Sequence, residues 1–223
     1  MSFIADWGSF LAALLAFFLS HQIPVRPAVK TRIVAMIGHR GFGMAYSALS
    51  VAILTWVIVA AGRAPYIELW GWEPWMNYVP LLGMFVAIQI LALSIGTPNR
   101  LSFGGWQNER YDPQHPGIIG WVRHPLLVAL FLWAAAHMVP NGNLAHLIVF
   151  GLFAGFTLMG QKIIDRRSKR VLGLQQWQAL TDTKREIRLT RTGMIRMVIG
   201  VLVYLTILHS HEFFIGVPPL IWD

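Results

Sequence analysis

Six long apolar runs, separated by short polar links, restrict this chain more than any other feature of its sequence. A helix rises about 1.5 Å per residue, so a run of about 20 apolar residues crosses the roughly 30 Å of a bilayer's hydrocarbon. No water pairs with the backbone there, and a helix satisfies its own N–H and C=O groups. Composition agrees: 56% of the 223 residues are apolar, ten are Trp and only 13% are charged, about half the usual soluble share. The expected fold class is all-α, a polytopic membrane helix bundle with about six transmembrane helices plus a cytoplasmic amphipathic helix. Residues 1–223 read as a single integral membrane domain.

The first span is read as Ser2–Ile23, stopped by Pro24 and Pro27. Asp6 rather than a basic stretch precedes its apolar part and no small-residue cleavage site follows, so it reads as a span and not a signal peptide. Val25–Arg40 carries Arg26, Lys30, Arg32 and Arg40 without an acid, which assigns it to a cytoplasmic loop. Gly41–Ala61 is the second span. The link Gly62–Trp75, with Glu68, Glu73 and the trio Trp70, Trp72 and Trp75, reads as an outer interface.

Met76–Ile95 returns the chain to a polar loop, Gly96–Gly117. The fourth span begins near Arg123, where Pro125 suits a first helical turn, and ends at the turn residues Pro140 to Asn143. Leu144–Ile164 and Met194–Leu208 are the last two spans. Between them Val171, Leu172, Leu174, Trp177 and Leu180 sit among basic residues, as in a short helix lying on an anionic leaflet. This topology leaves both termini outside and puts most of the Lys and Arg on the cytoplasmic side.

The net charge of +8 does not indicate nucleic acid, because the basic residues fall in blocks between apolar runs. The partner implied is the lipid bilayer. Absence of cysteine removes disulfides, thiolate metal sites and cysteine nucleophiles together. A metal would have to use His, Met or carboxylate, and no ligand trio stands at zinc-enzyme spacing. Eight histidines remain: His21, His39, His115 and His124 on the cytoplasmic side, His137, His146, His209 and His211 on the outer side.

Chemistry concentrates in Gly117 to Pro125, which contains Arg123 and His124, and in the apolar run Leu126 to Met138, which contains His137. Ionisable groups are costly in such surroundings. Arg123, His124 and His137, with His21 at the end of the first span near Arg26, are the candidate cofactor-binding residues. The other histidines read as interfacial hydrogen-bonding groups, most tryptophans as anchors, and Gly151, Gly155 and Gly160 as helix-packing positions. Asp165-Arg166-Arg167 reads as a solvated helix end. His124 and His137 are thirteen residues apart, about 20 Å along a helix, and the topology sets His21 level with His124. Spacing alone thus pairs His21 with His124.

The order His21, Arg26, Ile37-Gly38-His39-Arg40, Tyr46-Ser47, Arg123-His124-Pro125, Trp133, His137 and Asp165-Arg166-Arg167 resembles the NnrU family of bacterial integral membrane proteins. That family is related to the plant 15-cis-zeta-carotene isomerase. The resemblance implies a haem b protein of the inner (plasma) membrane, with His21 and His137 as the metal ligands. It also implies a link to denitrification, in support of nitrite and nitric oxide reductases. The chain departs from the isomerase pattern at Phe156, where a further histidine is expected, and at Ala134, where a cysteine is expected.

Three functions follow as expectations. In the first, His21 with His137 or His124 binds haem b, Arg123 pairs with a propionate, and the protein acts as a haem-dependent isomerase or oxidoreductase on an apolar substrate. In the second, Val122 to Leu126 and Lys169 to Gly173 with Trp177 resemble membrane methyltransferases of the isoprenylcysteine type that use S-adenosylmethionine. Their acidic pair is replaced here by Asp165-Arg166. In the third, the helices form a non-enzymatic assembly or interaction protein.

Overall fold

A computed structural model describes residues 3–186, 188 and 190–220, with side chains from Trp7 onward. The described residues form seven α-helices: α1 Phe3–Gln22, α2 Pro27–Arg63, α3 Tyr78–Ser94, α4 Pro125–Met138, α5 Leu144–Leu172, α6 Leu174–Thr181 and α7 Arg191–Ile215. The all-helical class expected from the apolar runs is observed. Four helical segments, Pro27–Arg63, Pro74–Ser94, Leu144–Leu172 and Arg191–Ile215, are long and apolar enough to cross a membrane. Trp7–Gln22 and Pro125–Met138 are apolar but shorter. Large apolar side chains such as Leu82, Val198 and Leu202 remain exposed on these helices, as lipid-facing surfaces require.

The boundaries differ from expectation in three places. Val25–Arg40, expected as a loop, is mostly helix, because α2 starts at Pro27. Proline is preorganised for the first turn, and the following Lys and Arg are good helix formers. An excess of positive charge reports the side of the membrane, not the backbone conformation. Gly38 interrupts α2 with φ 73° and ψ 170°, a conformation essentially reserved for glycine. α5 continues past Ile164 to Leu172, and α7 extends at both ends, from Arg191 to Ile215.

The chain divides into two compact units, Met1–Trp70 with Gly142–Val149, and Gly71–Asn141 with Phe150–Asp223. In the first, α1 packs on α2 and buries the stripe Trp7, Phe10, Ala13 and Phe17, the spacing of one helical face. A short antiparallel pairing ties Glu68 to Asn143, with Leu69 N–H bonded to Gly142 O and Leu144 N–H to Ile67 O.

In the second unit α3 packs against both α4 and α7. Small residues allow this approach: a Cβ on Gly83 would stand 2.8 Å from Ala136 Cβ of α4, and one on Gly200 of α7 would meet the Gln89 amide and Ala92 of α3. Arg196 of α7 donates to the Ala92, Leu93 and Ile95 carbonyls at the end of α3, groups that a helix end leaves without intrahelical partners. A separate apolar cluster of Leu101, Tyr111, Ile119 and Leu180, with Ile118, Leu172 and Trp177 against it, holds α6 to the loop between α3 and α4. The short helix expected to lie on a leaflet is thus docked on protein through Trp177 and Leu180, while Val171 and Leu174 stay exposed.

Candidate functional site

The Arg-His-Pro stretch leads into α4, and three separate segments converge on it. Gly117–Gly120 forms a single 3-10 turn, and His124 caps α4 with φ −117° and ψ 67° before Pro125 starts the helix. From the far end of α5, Asp165 reaches both residues at once. Arg123 Nη1 donates to Asp165 Oδ2 at 2.8 Å, and His124 Nε2 lies 3.1 Å from Asp165 Oδ1. His124 is 4% exposed, while the Arg123 and Asp165 side chains are 35% and 25% exposed.

The proton inventory follows from what each atom is able to do. An ionised carboxylate only accepts, so Nε2–H of His124 is the donor to Asp165. The other nitrogen, Nδ1, then accepts from Ser102 Oγ at 3.0 Å. Burial holds the His124 imidazole below its ordinary pKa, against the opposing pull of Asp165, and a neutral ring fits both bonds. Arg123 and Asp165 carry opposite charges, so the cluster is locally balanced.

Two further segments fix the motif. Asn99, 2% exposed, donates from Nδ2 to the Arg123 carbonyl at 3.1 Å. Its Oδ1 accepts from the Leu101 and Ser102 N–H groups, an Asx turn that presents Ser102 to His124. Trp177 of α6 lies under two cations, with Lys169 Nζ 4.1 Å and Arg123 Cζ 5.3 Å from its ring, within the range of cation–π attraction. The Tyr111 hydroxyl donates to Leu180 O, and burial raises its pKa while nearby Arg123 opposes the shift. Asp165 therefore belongs to a partly buried polar knot, not to the solvated helix end expected. Arg123, expected to face a propionate, is paired with a carboxylate of its own chain.

His137 and His21 share a bond that His124 lacks, although His21 Nδ1 also lies 3.3 Å from Ser20 Oγ. His137 Nδ1 lies 2.7 Å from Trp133 O and His21 Nδ1 lies 2.8 Å from Phe17 O. A carbonyl only accepts, so each Nδ1 carries the proton and donates. Each ring also has aromatic neighbours, Phe17 and Tyr46 for His21 and Trp133 and Phe150 for His137. His21 belongs to the first unit, and Arg123, His124 and His137 to the second. Among the described residues no group of three or more His, Asp or Glu could hold a metal ion.

Asn99 and Ser102 escaped the sequence reading. The Pro98-Asn99 pair signals a turn, but nothing local says that the turn serves His124. A model of the family described as NnrU protein matches residues 9–219. No curated protein and no solved structure matches the chain.

Proposed function

We propose, on the premise that this chain belongs to the NnrU family, that it is a haem b protein of the bacterial inner membrane with His21 and His137 as imidazole ligands. The observation that carries this reading is the common way the two rings are held, each giving Nδ1–H to the carbonyl four residues back. Such a bond leaves the lone pair of the neutral ring on Nε2, the form that binds iron, and sets the ring's orientation. The aromatic rings beside each histidine suit the apolar face of a porphyrin. His124 is left out because both its ring nitrogens are engaged by Ser102 and Asp165.

Bound haem supplies redox or isomerisation chemistry to an apolar substrate drawn from the bilayer, and the process served is denitrification, in support of nitrite and nitric oxide reductases. In this reading α1 and α4 cross the membrane with the four longer segments, giving six spans with both termini outside. Methyl transfer is not favoured: both carboxylate oxygens of Asp165 are engaged, one of them by a guanidinium, which leaves little negative potential for a cationic methyl donor.

Absorption spectra of detergent-purified protein, expressed with ample haem, test the proposal. The wild type is expected to show a Soret band and the sharp visible bands of reduced haem b. His21→Ala and His137→Ala each are expected to lose or shift them, and His124→Ala to keep them. A wild type without bands, or bands unchanged in both His21→Ala and His137→Ala, overturns the assignment. In the first case the assembly or interaction reading takes its place.

A further inference from the structure

A cavity of about 740 Å³ opens in the second unit between the loop before α4 and the start of α7, a volume typical of sites for small organic ligands. None of its lining residues belongs to the His124 knot, and the haem reading does not use it. Part of its lining is apolar, with Ile118, Trp121, Met194 and Met197 among the residues. Trp121 and Met194 are 53% and 47% exposed, so the apolar part is accessible from outside the protein.

The lining of the cavity also includes cations. Lys184, Arg188 and Arg196 line it against a single carboxylate, Glu186, which pairs with Lys184 and Arg188. The first turn of α7 lines it too, through Thr190, Thr192 and Gly193. Thr190 caps that helix by accepting from Gly193 N–H at 3.0 Å, and the remaining N–H groups of a 25-residue helix make its start attractive to anions. Arg196 is anchored on the end of α3, so one of the cations is held by the fold.

A lining that combines apolar and cationic residues matches an anionic amphiphile whose charge lies at the boundary between water and hydrocarbon. Basic pockets beside membrane helices take phospholipid headgroups on this principle. We propose that this cavity is a binding site for an anionic phospholipid of the surrounding leaflet. The phosphate meets Lys184, Arg188 and the start of α7, and the first methylenes of an acyl chain lie on Ile118, Trp121 and Met194.

The test uses the full chain in mixed micelles with phosphatidylglycerol carrying brominated acyl chains, which quench nearby tryptophan. The difference between wild type and Trp121→Phe isolates the signal at the cavity. That difference is expected to saturate with brominated phosphatidylglycerol and to be reversed by the unbrominated lipid. It is expected to resist phosphatidylcholine and excess inorganic phosphate. In a Lys184→Gln/Arg188→Gln variant the curve is expected to move to weaker binding by about tenfold or more, because two of the cations that attract an anionic headgroup are lost.

Equal quenching and competition by phosphatidylcholine overturns the proposal in favour of non-specific boundary lipid. Reversal by inorganic phosphate overturns it in favour of a soluble anion site. An unchanged curve in the double variant removes the role of the cations and sinks the assignment. The proposal does not rest on the haem reading, since the cavity is lined by neither His21 nor His137.

Discussion

Asp165→Ala is expected to destabilise the detergent-solubilised protein by about 2–3 kcal/mol, read as an earlier thermal unfolding transition. Breaking a fully buried ion pair from one side costs about 3–5 kcal/mol, and partial exposure of Arg123 and Asp165 lowers this through solvent screening. The alanine leaves the Arg123 guanidinium without its carboxylate and the His124 Nε2–H without its acceptor. Asp165→Asn keeps the shape and an acceptor for His124 but removes the charge, so a smaller loss is expected. In an Arg123→Gln/Asp165→Asn double variant the damage is expected to be less than the sum of the singles, with a coupling of about 1 kcal/mol. Strict additivity of the two substitutions would show that the pair contributes nothing to the fold.

Gly142→Ala is expected to be at least as damaging, at about 3 kcal/mol or more, the upper part of the range for overpacking. A Cβ at that position runs into the Trp70 carbonyl oxygen and lies 2.9 Å from Trp70 Cδ1. The obstacle is backbone held in the pairing of residues 67–69 with residues 142–144, so no rotamer change relieves it. Gly155→Ala provides the control: nothing lies within 4 Å of its Cβ, and alanine is the better helix residue by about 1 kcal/mol. A Gly142→Ala protein that unfolds at the wild-type temperature would contradict the close approach at Trp70.

The helices were legible because a bilayer imposes one length and one polarity on any segment that enters it. Where that constraint lapses, the reading failed. The stretch from Pro27 to Arg40 is charged enough to leave hydrocarbon, and its helical backbone is set by local propensity that the loop assignment ignored. Asp165 was misread for a different reason: it lies 42 positions from Arg123, and nothing in its neighbours Arg166 and Arg167 points back across that distance. The Asn99 turn was visible as a turn, but not as the support of Ser102. By contrast His21 stands out in the sequence because it ends a helix with Arg26 nearby, and His137 because it lies in an apolar turn after Trp133. Their distinguishing bond, to the carbonyl four residues earlier, is a local consequence of helical geometry.

The balance of charge inside the Arg123, His124 and Asp165 knot has a consequence for ionic strength. Buried and partly buried opposite charges in direct contact are little affected by mobile ions, whereas exposed charges lose their reach beyond about 8 Å at physiological salt. Lys184 and Arg188, at 55% and 57% exposed, stand in the second class. Sodium chloride should therefore separate what the two basic regions do: attraction of an anionic surface to the start of α7 fades as salt rises, while the fastening of α5 to the start of α4 persists. The protein's grip on its own loops is thus insulated from the counterion atmosphere through which it meets the membrane.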